Sequence, residues 1–188
     1  MKDLKLKIKF FSPWHCGSGL SAGADSDSVV LKDSNGLPYV PGRTLKGLLR
    51  EAVEEYVAFT GTSVDLDKAF GKAADASLGS VPMKGEMFFT DAVLSQRETA
   101  AIIANRVEKM LYVNKAATAI GDNGIVKDGS LRTIETVIPC ELHASVMHVG
   151  DDIATVMERS LGFVKHIGTG RNRGLGRCLL SIEKGGTE

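Results

Sequence analysis

Residues 4–10 alternate without a break: Leu4, Leu6, Ile8 and Phe10 are apolar, and Lys5, Lys7 and Lys9 stand between them. A period of two puts the apolar side chains on one face and the cations on the other, so LKLKIKFF is a half-buried strand with a lysine face. A loop rich in Gly, Ser and Asp follows over 16–28, then the short strand SVVLKD and a turn at Ser34-Asn35-Gly36, where Asn-Gly between extended pieces signals a hairpin. Pro41-Gly42 closes that unit and the period changes. Leu45, Leu48, Leu49, Ala52, Val53 and Tyr56 have the spacing of an amphipathic helix.

The remainder reads the same way. Residues 61–84 hold many small side chains and are read as loop or short helical pieces, and GEMFFTDAVL as a strand. Ser95 with Glu98 makes a capping box that opens a helix through about Leu111. Residues 114–130, with Asp122-Asn123-Gly124 and Asp128-Gly129, are read as a flexible hairpin or extended loop. TIETVIPCELHASVMHV is extended. A helix follows from about Asp151 to Val164, with a core face of Ile153, Val156, Met157, Leu161 and Val164 and an acidic first turn that suits the helix dipole. The loop GTGRNRGLGR and the strand CLLSIE end the pattern. The order predicts a single domain over 1–188 of the α+β class. It is a ferredoxin-like core, the plan of the RNA-recognition motif, with an antiparallel sheet, helices on one face, and insertions at about 61–84 and 114–131. Such a fold does not by itself assign a function.

Composition narrows the class. With 188 residues, 43% of them hydrophobic, the chain can bury one real core, and no apolar run is long enough to span a membrane. The start lacks the continuous apolar stretch of an export signal. Cys16, Cys140 and Cys178 are an odd, scattered set without a CxxC pair, which fits a reducing cytoplasm rather than a disulfide framework or zinc knuckle. Net charge is zero, so a nucleic-acid binder of this composition must gather its cations locally.

Three constellations carry chemistry. At about 100° per residue, Arg43, Lys46 and Arg50 share one edge of the first helix, with Gly47 beside them and the helix N-terminus, a natural anion site, at their head. The same stripe also reads as an ordinary solvated face. In the second, Gly168, Gly170, Gly174 and Gly176 surround Arg171 and Arg173. Successive backbone N–H groups there can converge on an anion, with bidentate arginine contacts added; the plain alternative is a flexible surface loop. A helix precedes this loop and a strand follows it, the reverse of a dinucleotide-binding fingerprint. The third is the loop after the first strand, with His15, Asp25 and Asp27. A loop carboxylate can hold Mg²⁺ or take a proton, or simply cap a turn, and a histidine at a strand end is commonly structural. No HExxH or GxSxG pattern supports a common hydrolase. We expect the basic helix edge and the glycine loop to converge into one trough for a polyanion.

Taken together and in order, these pieces resemble the RAMP superfamily of CRISPR-associated proteins. The residues that carry the likeness are His15, Gly17 and Gly19 after the first strand; Gly36, Pro38, Tyr39, Pro41, Gly42, Lys46, Gly47 and Arg50 at the opening of the first helix; and Gly168, Gly170, Arg173, Gly174 and Gly176 before the last strand. The pattern is most like the repeated backbone subunit of type III effector complexes. Asp27-Ser28-Val29-Val30 stands where that subunit carries its Asp-Ser loop, with Val29 in place of the family's proline.

The resemblance implies a guide-RNA-binding subunit that stacks with other copies of itself and with other type III subunits along a guide CRISPR RNA. It implies RNA contacts from His15, Arg43, Lys46, Gly47, Arg50, Gly168, Gly170, Arg171, Arg173, Gly174 and Gly176. A thumb-like hairpin at 114–131 would open the guide–target duplex at intervals. Asp27, or Asp25 in its place, would then cut complementary target RNA with Mg²⁺ or another divalent metal. Two alternatives stand beside it: a scaffold or capping subunit that only binds RNA, and a guide-processing endoribonuclease with His15 as general base.

Overall fold

The computed structural model describes residues 1–19, 28–73, 81–118, 124–125, 127 and 129–183. The alternating segment is strand β1 (Lys2–Phe10), with Leu4, Leu6, Ile8 and Phe10 buried as the period requires. It lies in the middle of a four-stranded antiparallel sheet. β7 (Glu141–Val149) pairs on one side and β8 (Cys178–Ile182) on the other, and β4 (Phe88–Phe89) forms the far edge beyond β7. Helices α1 (Gly42–Thr60) and α4 (Asp151–Ser160) pack side by side with their apolar faces on this sheet. The sheet order and the two crossing helices are those of the ferredoxin-like plan.

The core sits between the layers. Leu45, Leu49, Ala52 and Val53 of α1 and Ile153, Val156, Met157, Leu161 and Val164 of the second helical stretch are buried against Leu6, Ile8 and Leu142 of the sheet. Each such aliphatic side chain contributes about 1.5–3 kcal/mol when withdrawn from water. Phe10 and Trp14 stack with centroids 4.6 Å apart and close the end of the core where β1 exits.

Local signals explain most element ends. Ser95 and Glu98 form the reciprocal capping box of α3 (Gln96–Asn105). The expected continuation to Leu111 is broken, because Arg106 turns left-handed at φ 55° and the chain re-enters a short 3-10 turn at Glu108–Leu111. The last helical turn near Val164 is likewise 3-10, over Leu161–Phe163. GEMFFTDAVL gives only two ladder residues before it bulges. Between the pairs Phe89↔Val146 and Val93↔His143 the edge strand has one residue more than β7, and Asp91 leaves the ladder to accept from Gly42 N at 2.7 Å. The expected hairpin at Ser34-Asn35-Gly36 is a tight turn fixed by Asp33, whose carboxylate accepts from Asn35 N and Leu37 N, both at 2.8 Å.

The small-residue stretch holds α2 (Leu66–Phe70) and a two-residue hairpin of β2 (Gly71–Lys72) with β3 (Met83–Lys84). The polar segment after α3 opens as a second sheet, β5 (Tyr112–Ala117) with β6 (Arg132–Val137). The long extended stretch predicted as one piece is therefore two strands, β6 and β7, parted at Ile138-Pro139-Cys140. Among the described residues no helix is long and apolar enough to cross a membrane.

Burial pushes the Cys16 and Cys178 thiols up to about 12 and that of Cys140 to about 11. Raised values leave about one thiol in a thousand, or fewer, as reactive thiolate at mildly alkaline pH. Ellman's reagent should therefore find no fast thiol in the native protein and all three cysteines in denaturant. A rapid native reaction would contradict this packing.

Candidate nucleic-acid interface

The exit of β1 carries the sequence Trp14-His15-Cys16, and it is clamped from two sides. Trp14 exchanges both backbone hydrogen bonds with Val137 of β6, at 3.0 and 2.8 Å. His15 is 2% exposed, and its carbonyl accepts from Thr169 N at 2.9 Å. Its ring Nδ1 lies 2.6 Å from the Glu135 carbonyl and its Nε2 lies 3.0 Å from Ser28 Oγ. A carbonyl only accepts, so Nδ1 carries the proton and, in the neutral ring, Nε2 accepts from the serine hydroxyl. Both ring nitrogens are thus engaged inside the protein. His15 thereby forms part of the wall of the site.

Glu135 extends the clamp. Its backbone N–H donates to Ser28 O at 3.0 Å, and its carboxylate takes Val30 N at 3.0 Å and Lys32 Nζ at 2.8 Å. Residues 28–32 are thereby fixed along the outer edge of β6, where Ser28 forms a parallel bridge with Ile134. Asp25 and Asp27 lie outside the described residues; Ser28 is the chain neighbour of Asp27.

The glycine loop folds back onto this clamp. Gly168 has φ 93° and a side chain there would meet the His15 carbonyl at 2.3 Å; Gly176 has φ 71° and would meet the Ile167 carbonyl at 2.0 Å. Both must be glycine for the loop to lie where it does. Gly170 and Gly174, also left-handed, bracket the 3-10 turn Arg171–Arg173. Most N–H groups of the loop are spent internally, on acceptors that include His15, Pro13 and Gly170. Those of Gly170, Arg171 and Asn172 have no acceptor among the described residues. A left-handed residue followed by a right-handed turn with unspent N–H groups is an anion-binding concavity.

His15, Ser28 and Ile134 on one side and His166 with the Gly168–Leu175 loop on the other enclose a groove of about 840 Å³. Arg171 and Arg173 are exposed, and no carboxylate lines the groove among the described residues. Among the described residues the lining is therefore formally positive.

The helix stripe behaves differently from the expectation. Arg50 donates to Glu54 at 2.7 Å, to Asp67 at 2.9 Å and to the Gly71 carbonyl, tying α1 to α2. The first free N–H of α1 is capped by the Asp91 carboxylate, so a negative charge already sits at the helix N-terminus. The edge of α1 that faces the glycine loop is the other one: Leu48, Glu51, Ala52 and Glu55 line a smaller groove of about 220 Å³ with Phe163, His166 and Arg171. The helix stripe and the glycine loop thus flank α1 on different sides and do not join into one trough. Arg43 and Gly47 are exposed and Lys46 half-buried, and together they remain a separate basic edge. No group of three or more His, Cys, Asp or Glu side chains suited to a metal is found among the described residues.

Sequence reasoning missed Glu135 and Thr169, which have no motif of their own; their roles arise from contacts more than one hundred residues along the chain from Ser28 and His15.

The glycines separate by what surrounds them, and this sets a test. A side chain at Gly47 meets nothing within 4 Å. Gly47→Ala should stabilise the isolated chain by about 0.5–1 kcal/mol through helix propensity, raising the melting temperature by about 1–4 °C. Gly168→Ala should cost about 2 kcal/mol or more from strain and backbone overlap. Equal shifts in thermal melts of the two variants would refute the assignment.

A family model for the RAMP superfamily matches residues 7–179. No curated protein matches the sequence. The fold is similar to that of a chain in a cryo-EM structure of the Type III-B Cmr-beta bound to cognate target RNA, at 12% identity and a TM-score of 0.74, with 97% of each chain covered. It is also similar to a chain in a cryo-EM structure of the Type III-B Cmr-beta apo state, at 13% identity and a TM-score of 0.71, again with 97% of each chain covered. At such identities the likeness establishes a shared fold.

Proposed function

The chain belongs to the RAMP superfamily, and on that premise we propose that it is a guide-RNA-binding backbone subunit of a type III CRISPR ribonucleoprotein that cuts complementary target RNA with a loop aspartate. The observation that carries the reading is the groove walled by His15 and the Arg171–Arg173 turn, which no carboxylate lines among the described residues. It offers two arginines and unspent backbone N–H groups to a phosphate chain, which is what a neutral protein needs in order to hold RNA. The shared fold with chains of the Type III-B Cmr-beta structures, one of them bound to cognate target RNA, supports the same choice. Partners in this reading are guide CRISPR RNA, complementary target RNA, further copies of the chain along the guide and the other effector subunits. Arg43, Lys46 and Gly47 make a second, separate RNA contact. An exposed mid-helix glycine with open space around it lowers helix stability for no reason inside the chain, and close approach of a phosphate backbone supplies one.

Cleavage is assigned to Asp27, next to Ser28 on the groove wall. In that step the ribose 2′-OH of the target attacks the adjacent phosphorus in line and Asp27 takes its proton. The 5′-oxygen leaves with a proton from water, giving a cyclic phosphate end and a free 5′-hydroxyl. Mg²⁺ or another divalent metal, were it bound, would be held by Asp27 and would supply charge stabilisation at the phosphate. Its contribution is read by chelation.

Two measurements test the reading. Arg171→Ala with Arg173→Ala should weaken RNA binding alike for unrelated sequences and lower the slope of log affinity against log salt by about 1.4. An unchanged slope would place the phosphates elsewhere. In the guide-loaded complex, Asp27→Ala should abolish evenly spaced cuts in labelled target RNA while leaving target binding intact, with and without chelator as parallel arms. Binding without cutting by the wild type would instead support the scaffold reading.

A further inference from the structure

The β5–β6 hairpin has a second groove on its other side. Successive residues of a strand face opposite ways. Ile134 lines the arginine groove, whereas Glu135 lines a separate groove of about 560 Å³. The two grooves share β6 and the attached segment Ser28–Lys32 as a common wall.

The chemistry of this second groove differs from that of the first. Lys32 is neutralised by Glu135 at 2.8 Å and its ammonium sits 4.0 Å from the centroid of the Tyr112 ring. Lys109 is accompanied along the lining by Glu108. Such balanced charge does not favour a phosphate. What the groove does offer is Asn35 and Asn114, whose side-chain amides make no hydrogen bond among the described residues and each present both a donor and an acceptor. The floor is rigid. Tyr112 donates to the Gly36 carbonyl at 2.6 Å, and burial, with the charges of Glu135 and Asp33, pushes its phenol up, so the donor persists across the working pH range. The turn that carries Asn35 is fixed by Asp33.

We propose that this groove is a pocket for one unpaired base of a bound RNA strand, with Asn35 and Asn114 reading its polar edge beside the fixed Tyr112 ring. Single-stranded RNA is recognised in this way, by amide contacts to base edges next to an aromatic side chain. The inference rests on the reading that the chain binds RNA. It adds that phosphate contacts and base contacts fall on opposite sides of one hairpin, so that the hairpin stem parts backbone from base.

The test is a binding cycle on the full chain by fluorescence anisotropy. The protein partners are the wild type and Asn35→Ala with Asn114→Ala, both at exposed positions and checked for an unchanged melting temperature. The RNA partners are a short single strand of mixed sequence and the same strand with an abasic ribose at each position in turn. The wild type should lose about tenfold in affinity at one abasic position. The double variant should lose about tenfold on intact RNA and nothing further at that position. Losses that simply multiply at every position, or a double variant that binds intact RNA like the wild type, overturn the pocket while leaving RNA binding in place. Absence of salt-dependent RNA binding by the wild type removes the underlying reading and the pocket with it.

Discussion

Three hydrogen bonds and one close backbone approach at His15 hold the functional side of the molecule together. The ring reaches Glu135 in the hairpin and Ser28 at the inner end of the first loop, and the carbonyl reaches Thr169 in the glycine loop. Gly168 packs against that same carbonyl. None of the partners is a sequence neighbour of His15, which follows the exit of β1, one of the two inner strands of the main sheet. These contacts fix the hairpin and the two loops relative to each other. Removing the imidazole would remove the hydrogen bonds to Glu135 and Ser28, at about 0.5–1.5 kcal/mol each. The cost would fall on the groove rather than on the core, because Glu135 also holds residues 28–32.

Charge follows the same division. The chain is neutral overall, and the two edges of α1 carry opposite signs. On one edge Arg50 is absorbed by Glu54, Asp67 and the Gly71 carbonyl, which makes it a brace between helices. On the other, Glu51 and Glu55 face the cations of the glycine loop across a small groove without forming an ion pair among the described residues. Among the described residues, Arg171 and Arg173 thus leave the lining of the groove on the His15 side positive. Screening at physiological salt acts over about 8 Å, so such a patch is felt by a ligand in the groove and little elsewhere.

Much of this was legible in the sequence, because it depends on neighbours along the chain. The period of two in β1, the capping box at Ser95 and the core face from Ile153 to Val164 are all local patterns, and each appears in the structure. The misreadings share a cause. A helical wheel shows that Arg43, Lys46 and Arg50 share an edge, but not that α2 covers the end of that edge or that Asp91 caps its head. The bulge that delivers Asp91 and the left-handed Arg106 that stops α3 are tertiary outcomes of an edge strand and a turn, and propensity does not announce them. His15 was visible as a residue of interest, but the partners of its ring were not, because Glu135 and Ser28 come to it only in three dimensions.

The glycines show how structure divides a motif that sequence treats as one. Gly168 and Gly176 are required by the fold itself: both are left-handed and both lie against a carbonyl. The richness of that loop in glycine is therefore explained by packing, and the case for anion binding there rests on Arg171, Arg173 and the few backbone N–H groups left unspent. Gly47 is the reverse. It sits in the middle of a long helix, with ordinary backbone angles and nothing near it, where alanine would be the better residue by about 0.5–1 kcal/mol. No contact inside the chain offsets that cost, which is the ground for the RNA contact proposed at Gly47. The loop glycines thus report on how this domain folds, whereas the fold itself makes no such demand at the helix glycine.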